Sequence, residues 1–262
     1  MRFDGQVALI TGAGSGIGRA VALGVADRGG RVAVADINPA TAAAVVAEIR
    51  TAGGEAEALT VDLGRAAQIE AMVEAALAAF GRIDVLHNNA YGSAPPRAAA
   101  DLDAHQARWD QTFQVGLTGL MQATRRILPV MKAQGGGAIV NTASVAGLAG
   151  DYGHWAYSAM KAGVINLTRT VAIENARDGI RVNCVCPGAI DTPLLREGLQ
   201  AAPAYGRAVL DRIPMGRFGT PEELAQVVLF LASPAAAYVT GAVVVADGGL
   251  TAANGLPRPP AG

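Results

Sequence analysis

The glycine-rich segment near the amino terminus constrains the fold of this chain more than any other feature. Four apolar residues at positions 7–10 precede it, glycine occupies every second position from Gly12 to Gly18, and a helical pattern covers residues 16–28. A turn of this kind between a strand and a helix lets backbone N–H groups approach a pyrophosphate at the positive end of the helix. The segment therefore predicts an α/β fold with a dinucleotide-binding turn.

Strand-like and helix-like stretches alternate along the rest of the chain. Apolar or β-branched runs lie at residues 7–10, 32–35, 58–61, 83–87, 138–141, 181–186 and 243–246. Helical patterns lie at residues 16–28, 39–52, 66–80, 102–133, 155–177 and 221–231. This alternation is typical of a parallel sheet covered by helices on both faces. We expect a single doubly wound domain over residues 1–253.

Two segments depart from the alternation. Residues 191–215 contain Pro193, Pro203 and Pro214 and follow a predicted strand. An insertion of this length is often a mobile lid over a ligand site, which we favour here over a pair of ordinary surface helices. Residues 254–262 are rich in proline and glycine, and we expect them to form a loose tail.

The bulk composition argues against several functions. The 262 residues are 51% hydrophobic and 16% charged with a formal net charge of −1, so no electrostatic footprint for nucleic acid or an anionic membrane is present. The apolar runs are only as long as strands, which predicts no transmembrane helix. Because the first strand begins almost at once, there is no room for a signal peptide, and we expect a cytoplasmic protein.

The cysteines and histidines suggest neither a disulfide nor a metal site. Cys184 and Cys186 lie at i and i+2 of a predicted strand, where the Cα separation is poor for a disulfide. We interpret both as small buried hydrophobic side chains. The three histidines are scattered, so we predict no metal centre.

Asp36 stands at the end of the second predicted strand and indicates which dinucleotide is bound. A carboxylate at this place accepts hydrogen bonds from the adenosine ribose and repels a 2′-phosphate. Ser15 and Ile37 provide no cation where a 2′-phosphate would need one. The sequence therefore favours NAD over NADP.

Tyr157 and Lys161 place a phenol and an ammonium at i and i+4, on one face of one predicted helix. Such a pair can move a proton, and together with the glycine-rich turn it indicates a nicotinamide-dependent oxidoreductase. A free phenol has a pKa of about 10 and is a poor base at neutral pH. We expect Lys161 and the oxidised nicotinamide ring to lower the pKa of Tyr157 by ~2–3, so that the phenol acts as the general acid/base.

Several further motifs occur in register with these residues and identify a family. They are Thr11–Gly18, Asp62-Leu63, Asn88-Asn89-Ala90, Ser144, Tyr157-x-x-x-Lys161, Pro187-Gly188 with Thr192, and Asp247-Gly248-Gly249. In this combination the chain resembles an ordinary, non-extended member of the short-chain dehydrogenase/reductase family over residues 3–250. The resemblance implies a Rossmann fold with strand order 3-2-1-4-5-6-7, a homotetramer, and a cofactor lying across the carboxyl ends of the strands.

The resemblance also implies the residues of the site. Ser144 would donate to the substrate oxygen, and Tyr157 and Lys161 complete the catalytic set, with Lys161 bound to the nicotinamide ribose. Asp62 and Leu63 would flank the adenine. The implied cofactor-binding residues are Gly12, Ser15, Gly16, Ile17, Gly18, Asp36, Ile37, Asp62, Leu63, Asn89, Ala90, Tyr157, Lys161, Pro187, Gly188, Ile190 and Thr192.

Two positions depart from the family pattern. Gly116 replaces an asparagine whose side chain stabilises a helix bend and whose carbonyl lies on a water-linked proton path from the lysine. We hypothesise that activity survives, with the path weakened or rebuilt through extra water. Tyr91 replaces a glycine, and its ring lies against the cofactor, against the pocket mouth, or on a neighbouring loop.

The substrate is predicted only by class. The pocket candidates are mainly apolar, which favours a secondary alcohol or ketone with a hydrocarbon body; they are Ala146, His154, Leu194 and Leu195. His154 either hydrogen-bonds a second polar group of the substrate or is a lid or surface residue. The alternative to an enzyme is an NAD(H)-binding module that has little catalysis because of Gly116.

Overall fold

A computed structural model describes residues 1–91 and 102–254 of the chain. Its strands are β1 (Val7–Thr11), β2 (Arg31–Asp36), β3 (Ala56–Thr60), β4 (Val85–Asn88), β5 (Gly137–Thr142), β6 (Ile180–Pro187) and β7 (Val243–Ala246). Its α-helices are α1 (Gly16–Ala26), α2 (Pro39–Thr51), α3 (Ala66–Phe80), α4 (Leu102–Phe113), α5 (Leu120–Ala133), α6 (Trp155–Asn175), α7 (Pro193–Ala201), α8 (Pro203–Arg212) and α9 (Pro221–Ala232). A π-helix, Gln114–Gly119, joins α4 to α5, and 3₁₀ turns cover Val145–Gly147, Ala176–Asp178 and Pro234–Ala236.

The seven strands form one parallel sheet in the order β3-β2-β1-β4-β5-β6-β7, which confirms the predicted fold. Ile10 of β1 pairs with Val34 of β2 on one side and with His87 of β4 on the other. The strand order reverses between β1 and β4. Because ligands of open α/β sheets bind where the order reverses, the crevice at the carboxyl ends of β1 and β4 is the place for a site.

Apolar side chains cover both faces of the sheet. All five residues of β1 are buried, as expected for a parallel strand covered on both sides. Val21 of α1 and Leu229 of α9 lie in the core on one face, and Ile69 of α3 and Ile127 of α5 lie in the core on the other.

Local sequence explains where several helices begin. Thr220 forms a capping box with Glu223 at the start of α9, and Pro221 occupies the first turn. Asn38 caps α2 by accepting hydrogen bonds from the backbone N–H groups of residues 40 and 41. These caps hold both helices beside the carboxyl ends of the strands.

The prediction of one uninterrupted helix over residues 102–133 is wrong. The π-helix divides it, and Gly116 and Gly119 are buried within the π segment. A Cβ at Gly119 would lie 2.5 Å from the carbonyl oxygen of Leu63, so the helix is packed in backbone contact with the turn after β3. An apolar pattern does not reveal the extra residue of a π turn, because the pattern on either side still repeats as in an α-helix.

Residues 191–215 form the two short helices α7 and α8, and no residue of α7 is buried. The structure thus shows an exposed helix pair here, and its movement as a lid stays a prediction. Apart from Asn254, the predicted tail lies outside the described residues. Among the helices that are described, none has the length and apolar character needed to cross a membrane.

Candidate active site

The glycine-rich turn between β1 and α1 lies directly against the segment that follows β4. Gly12 has a φ of 62°, and a Cβ there would be 2.8 Å from the Cα atom of Ala90. Only glycine tolerates both this conformation and this close approach. Ser15 is the N-cap of α1 and makes no side-chain hydrogen bond to the helix, so the N–H groups of the first turn keep their capacity to bind an anion.

Asp36 is brought to this turn from the end of β2. Its carboxylate accepts hydrogen bonds from the backbone N–H of Gly14 at 2.8 Å and from that of Asn38 at 2.9 Å. The neighbouring Ile37 side chain is exposed. The negative charge therefore stands beside the turn, where the sequence predicted a contact with the adenosine ribose.

The other predicted cofactor residues lie at strand ends along the same edge of the sheet. Asp62 accepts a hydrogen bond from the N–H of Gly64 at 2.8 Å, whereas Leu63 is buried in the core. Thr192 caps α7. A Cβ added to Gly16 would lie 3.2 Å from the methyl group of Thr192. The exposed helix α7 thus begins in contact with the glycine-rich turn.

Beyond β6, the backbone is held in place by its neighbours. Pro187 is the last residue of β6, and a Cβ at Gly188 would lie 2.7 Å from the Cβ atom of Asp247. Ile190 is buried and forms an isolated parallel bridge with Gly219. These residues stand past the carboxyl end of a strand, as predicted for contacts with a nicotinamide.

The three predicted catalytic side chains come together between β5 and α6. Lys161 is buried, and its Nζ atom donates to the carbonyl oxygen of Thr142 at 2.7 Å. The same Nζ atom lies 5.6 Å from the centre of the Tyr157 ring. Ser144 is the N-cap of the 3₁₀ turn after β5, and its Oγ atom accepts a hydrogen bond from the N–H of Ala146 at 3.1 Å.

Burial dominates the pKa of Tyr157 among the protein groups of the site, and the lowered pKa expected from Lys161 together with the oxidised nicotinamide ring stays a prediction. Burial raises this pKa to about 12, and a hydrogen bond with Ser144 opposes the rise. Burial also lowers the pKa of Lys161 to about 8. The Lys161 ammonium, one helical turn from Tyr157, donates its hydrogen bond to the carbonyl oxygen of Thr142.

A buried chain of hydrogen bonds, which sequence reasoning missed, connects the sheet to the glycine-rich turn. Nε2 of His87 lies 2.9 Å from Oγ1 of Thr142, which donates to Oδ1 of Asn89 at 3.4 Å. Since the hydroxyl proton is used in this way, Nε2 of His87 carries the ring proton and donates it. Nδ2 of Asn89 then donates to the carbonyl oxygens of Thr11 and Gly12, each at 3.2 Å.

His87 is expected to make the stability of the protein depend on pH. Burial lowers its pKa to about 3, whereas the unfolded side chain titrates near 6.5. Between these values the unfolded state binds a proton that the folded state does not. The free energy of unfolding should therefore fall as the pH decreases below 6.5, by up to about 1.4 kcal/mol per pH unit from this group.

Urea denaturation between pH 6.5 and pH 5 measures this effect above the range in which carboxylates titrate. His87→Gln cannot titrate and should show a shallower pH dependence than the wild type. His154→Gln is the control for removal of a histidine that is not fully buried. An equal slope in the wild type and in His87→Gln would contradict the assignment.

Tyr91 packs on the catalytic pair, and whether its ring also borders the cofactor or the pocket mouth stays a prediction. Its ring centre lies 4.8 Å from that of Tyr157, with an angle of 60° between the ring planes. The Lys161 Nζ atom lies 5.5 Å from the centre of the Tyr91 ring. Tyr91 is thus part of the site itself.

Gly116 faces Met160, the residue that precedes Lys161. A Cβ at Gly116 would lie 2.7 Å from Cε and 2.8 Å from Sδ of Met160, whose side chain is fully buried. The thioether therefore occupies the space that a side chain at residue 116 would enter. Sequence inspection singled out the glycine but gave no signal for Met160, since the contact joins residues far apart in the chain.

The predicted substrate residues are only partly brought to Tyr157. The ring centre of His154 lies 6.2 Å from that of Tyr157 at an interplanar angle of 68°, so His154 borders the site. Ala146 is buried, Leu195 is half-buried, and Leu194 points largely to solvent. The two leucines contribute to a pocket only as part of the predicted lid.

The two cysteines are described by the structure, and the absence of a metal centre stays a prediction. Cys184 and Cys186 are free and buried, as the sequence indicated. No group of three or more histidine, cysteine, aspartate or glutamate side chains suited to a metal occurs among the described residues.

Comparison with known proteins shows the family. A sequence profile described as Enoyl-(Acyl carrier protein) reductase matches residues 12–251. The chain is 43% identical to 3-oxoacyl-[acyl-carrier-protein] reductase of Thermotoga maritima over 250 residues, which are 95% of this chain and 99% of that protein. It is 44% identical to cis-4-hydroxycyclohexanecarboxylate dehydrogenase of Sinomonas cyclohexanicum over 252 residues, 95% of this chain and 98% of that one.

A solved structure with a similar fold points to the same family. That of 7α-hydroxysteroid dehydrogenase complexed with NADH and 7-oxo glycochenodeoxycholic acid has a TM-score of 0.89 and 33% identity, and the match covers 95% of each chain. The fold and these matches define an oxidoreductase that uses a nicotinamide dinucleotide. The chain belongs to the short-chain dehydrogenase/reductase family.

Proposed function

We propose that this protein is an NAD-dependent oxidoreductase that interconverts a secondary alcohol and a ketone by hydride transfer. The observation that carries the proposal is the assembly of Ser144, Tyr157 and Lys161 at the same edge of the sheet as the glycine-rich turn. Tyr157 serves as the general acid/base, and Ser144 hydrogen-bonds the reacting oxygen. The homotetramer and the cytoplasmic location stay predictions from the sequence.

The residues present fit a dinucleotide with an unmodified ribose. The turn at Gly12 and the uncapped first turn of α1 suit a pyrophosphate. The carboxylate of Asp36, fixed by the N–H of Gly14, suits the two ribose hydroxyls and opposes a 2′-phosphate. Asn89 and Thr192 border the turn from β4 and α7.

The protein side chains supply the proton chemistry. When bound, the nicotinamide ring supplies the acceptor of the hydride. In the oxidative direction, Tyr157 as phenolate takes the hydroxyl proton of the alcohol while a hydride leaves the carbinol carbon, and a ketone forms. Ser144 donates to the oxygen as negative charge develops there. Because burial raises the pKa of Tyr157 to about 12, positive charge near the phenol is needed for it to act as a base at neutral pH.

The relatives support a cyclic alcohol or ketone as the first substrates to test. One of them is named for a hydroxylated cyclohexane ring and another for a steroid, and both names describe secondary alcohols on saturated rings. The pocket residues predicted from the sequence are mainly apolar, which agrees with a substrate that has such a hydrocarbon body.

The proposal is tested by following NADH formation from NAD⁺ with linear, cyclic and aryl secondary alcohols, with NADP⁺ in parallel. We expect turnover with NAD⁺ and a clear preference over NADP⁺. In Asp36→Asn, the ratio of kcat/KM for NAD⁺ to that for NADP⁺ should fall by about tenfold to a hundredfold, or ~1.4–2.8 kcal/mol, because the charge is lost but an acceptor for Gly14 remains.

Asp27→Asn is the matched control, because Asp27 is an exposed carboxylate at the far end of α1. It should leave the cofactor ratio unchanged. A preference of the wild type for NADP⁺ would overturn the role of Asp36. NADH binding without turnover on any alcohol would instead favour an NAD(H)-binding module, which Gly116 in place of the usual asparagine would explain.

A further inference from the structure

The ring of Tyr91 packs against the phenol that is proposed to react. Its ring lies 4.8 Å from that of Tyr157, centre to centre, and the ring of His154 lies 6.2 Å away. The separation and the 60° tilt of the Tyr91 pair are within the range of favourable aromatic contacts. Two rings therefore border the Tyr157 ring.

The backbone that carries Tyr91 is firmly placed. The preceding residue, Ala90, donates its N–H to Oγ1 of Thr11 at 3.2 Å and lies in contact with the turn at Gly12. Tyr91 itself is half-buried and packs against the apolar cluster that contains Met160. The backbone before Tyr91 is thus held at the glycine-rich turn, and the Tyr91 side chain packs on the cluster that contains Met160.

The ring of Tyr91 also faces the catalytic ammonium. Nζ of Lys161 lies 5.5 Å from its centre and 5.6 Å from the centre of the Tyr157 ring. Both separations are within the distance at which a cation is attracted to an aromatic face. An aromatic side chain at residue 91 therefore fits the charge of the site as well as its shape.

We propose that Tyr91 is a specificity-determining residue that limits the width of the carbon frame beside the reacting hydroxyl. The inference rests on the proposed alcohol oxidation. A substrate must bring its hydroxyl within hydrogen-bond distance of Tyr157, so its ring shares the space that the Tyr91 side chain borders. We therefore expect a single six-membered ring to be accepted beside Tyr91 and a fused bicyclic ring to meet it.

The test compares kcat/KM for cyclohexanol with that for decahydro-2-naphthol in the wild type, Tyr91→Phe and Tyr91→Ala. Removal of the ring in Tyr91→Ala should raise the ratio of the bicyclic to the monocyclic alcohol by about tenfold or more. Tyr91→Phe keeps the ring and should stay within about threefold of the wild-type ratio. The ratio is the readout because a general loss of folded protein lowers both rates together and cannot raise it.

Tyr238→Ala is the matched control, because Tyr238 is fully exposed. It lines a groove with the residues that precede β1 and β4, at the amino ends of these strands, whereas the site lies at their carboxyl ends. This substitution should not change the ratio. An active wild type whose substrate ratio is the same in Tyr91→Ala overturns the role of Tyr91 and leaves the proposed function standing. A wild type that oxidises neither of these alcohols nor any of the wider panel overturns the proposed function and this inference with it.

Discussion

Replacement of Tyr157 by phenylalanine is expected to lower alcohol oxidation by about 10²- to 10⁴-fold, the usual contribution of a positioned acid/base group. The ring and its packing against Tyr91 remain, whereas the hydroxyl that exchanges the proton is lost. NADH binding, followed by fluorescence, should be nearly unchanged, because the glycine-rich turn and Asp36 are untouched. Initial rates at saturating NAD⁺ provide the measurement.

Tyr152→Phe is the control, because it removes the same hydroxyl from a fully exposed ring five residues upstream. It should retain wild-type turnover. If Tyr157→Phe kept more than about a tenth of the activity, a different residue would have to move the proton.

The variant Lys161→Met tests the same mechanism through the pH dependence of kcat/KM. If the Lys161 charge, which lies 5.6 Å from the Tyr157 ring, stabilises the phenolate, its removal should move the rise of kcat/KM for oxidation to higher pH. If kcat/KM fell at every pH and the profile kept its position on the pH axis, the role of Lys161 would be limited to holding the cofactor.

Introduction of asparagine at Gly116 is expected to destabilise the protein by about 1–3 kcal/mol, the usual cost of an overpacked core. The new Cβ would lie 2.7 Å from Cε of Met160, a fully buried residue of the catalytic helix α6. The family asparagine therefore cannot simply be restored. The free energy of unfolding from urea denaturation measures the effect.

A double-mutant cycle separates the contact from the helix itself. Met160→Ala alone should cost about 2–5 kcal/mol, and the pair Gly116→Asn with Met160→Ala should cost about 0.5–3 kcal/mol less than the sum of the two. Gly198→Asn is the control, since a Cβ added to that helical glycine meets nothing within 4 Å. Strict additivity would show that Met160 does not fill the space at Gly116.

The same variants test whether the asparagine matters for activity. If the rebuilt proton path is correct, the double variant should turn over faster than Met160→Ala, with the same KM for the alcohol. Equal turnover in these two variants would mean that the protein does not need the asparagine.

The predicted sheet and the site positions followed from local patterns. Strands such as β1 and β6 are buried on both faces of the sheet, so each appears in the sequence as a short apolar run rich in β-branched residues. Each run can be recognised without knowledge of the others. Asp36, Tyr157 and Lys161 could be placed because each stands at a strand end or on one helix face. The π-helix at Gln114–Gly119 could not be predicted, since nothing in the apolar pattern marks the extra residue of its wider turn.

By itself, the sequence determined the strand order through the family resemblance, the dinucleotide turn, and the candidate acid/base pair. Each of these depends on spacing within a short segment, which the chain carries in its local pattern. Only the tertiary structure decided that Tyr91 covers Tyr157, that Met160 fills the space at Gly116, and that His87 supports Thr142. These contacts join residues 44 to 66 positions apart, and their geometry exists only once the strands and helices have packed.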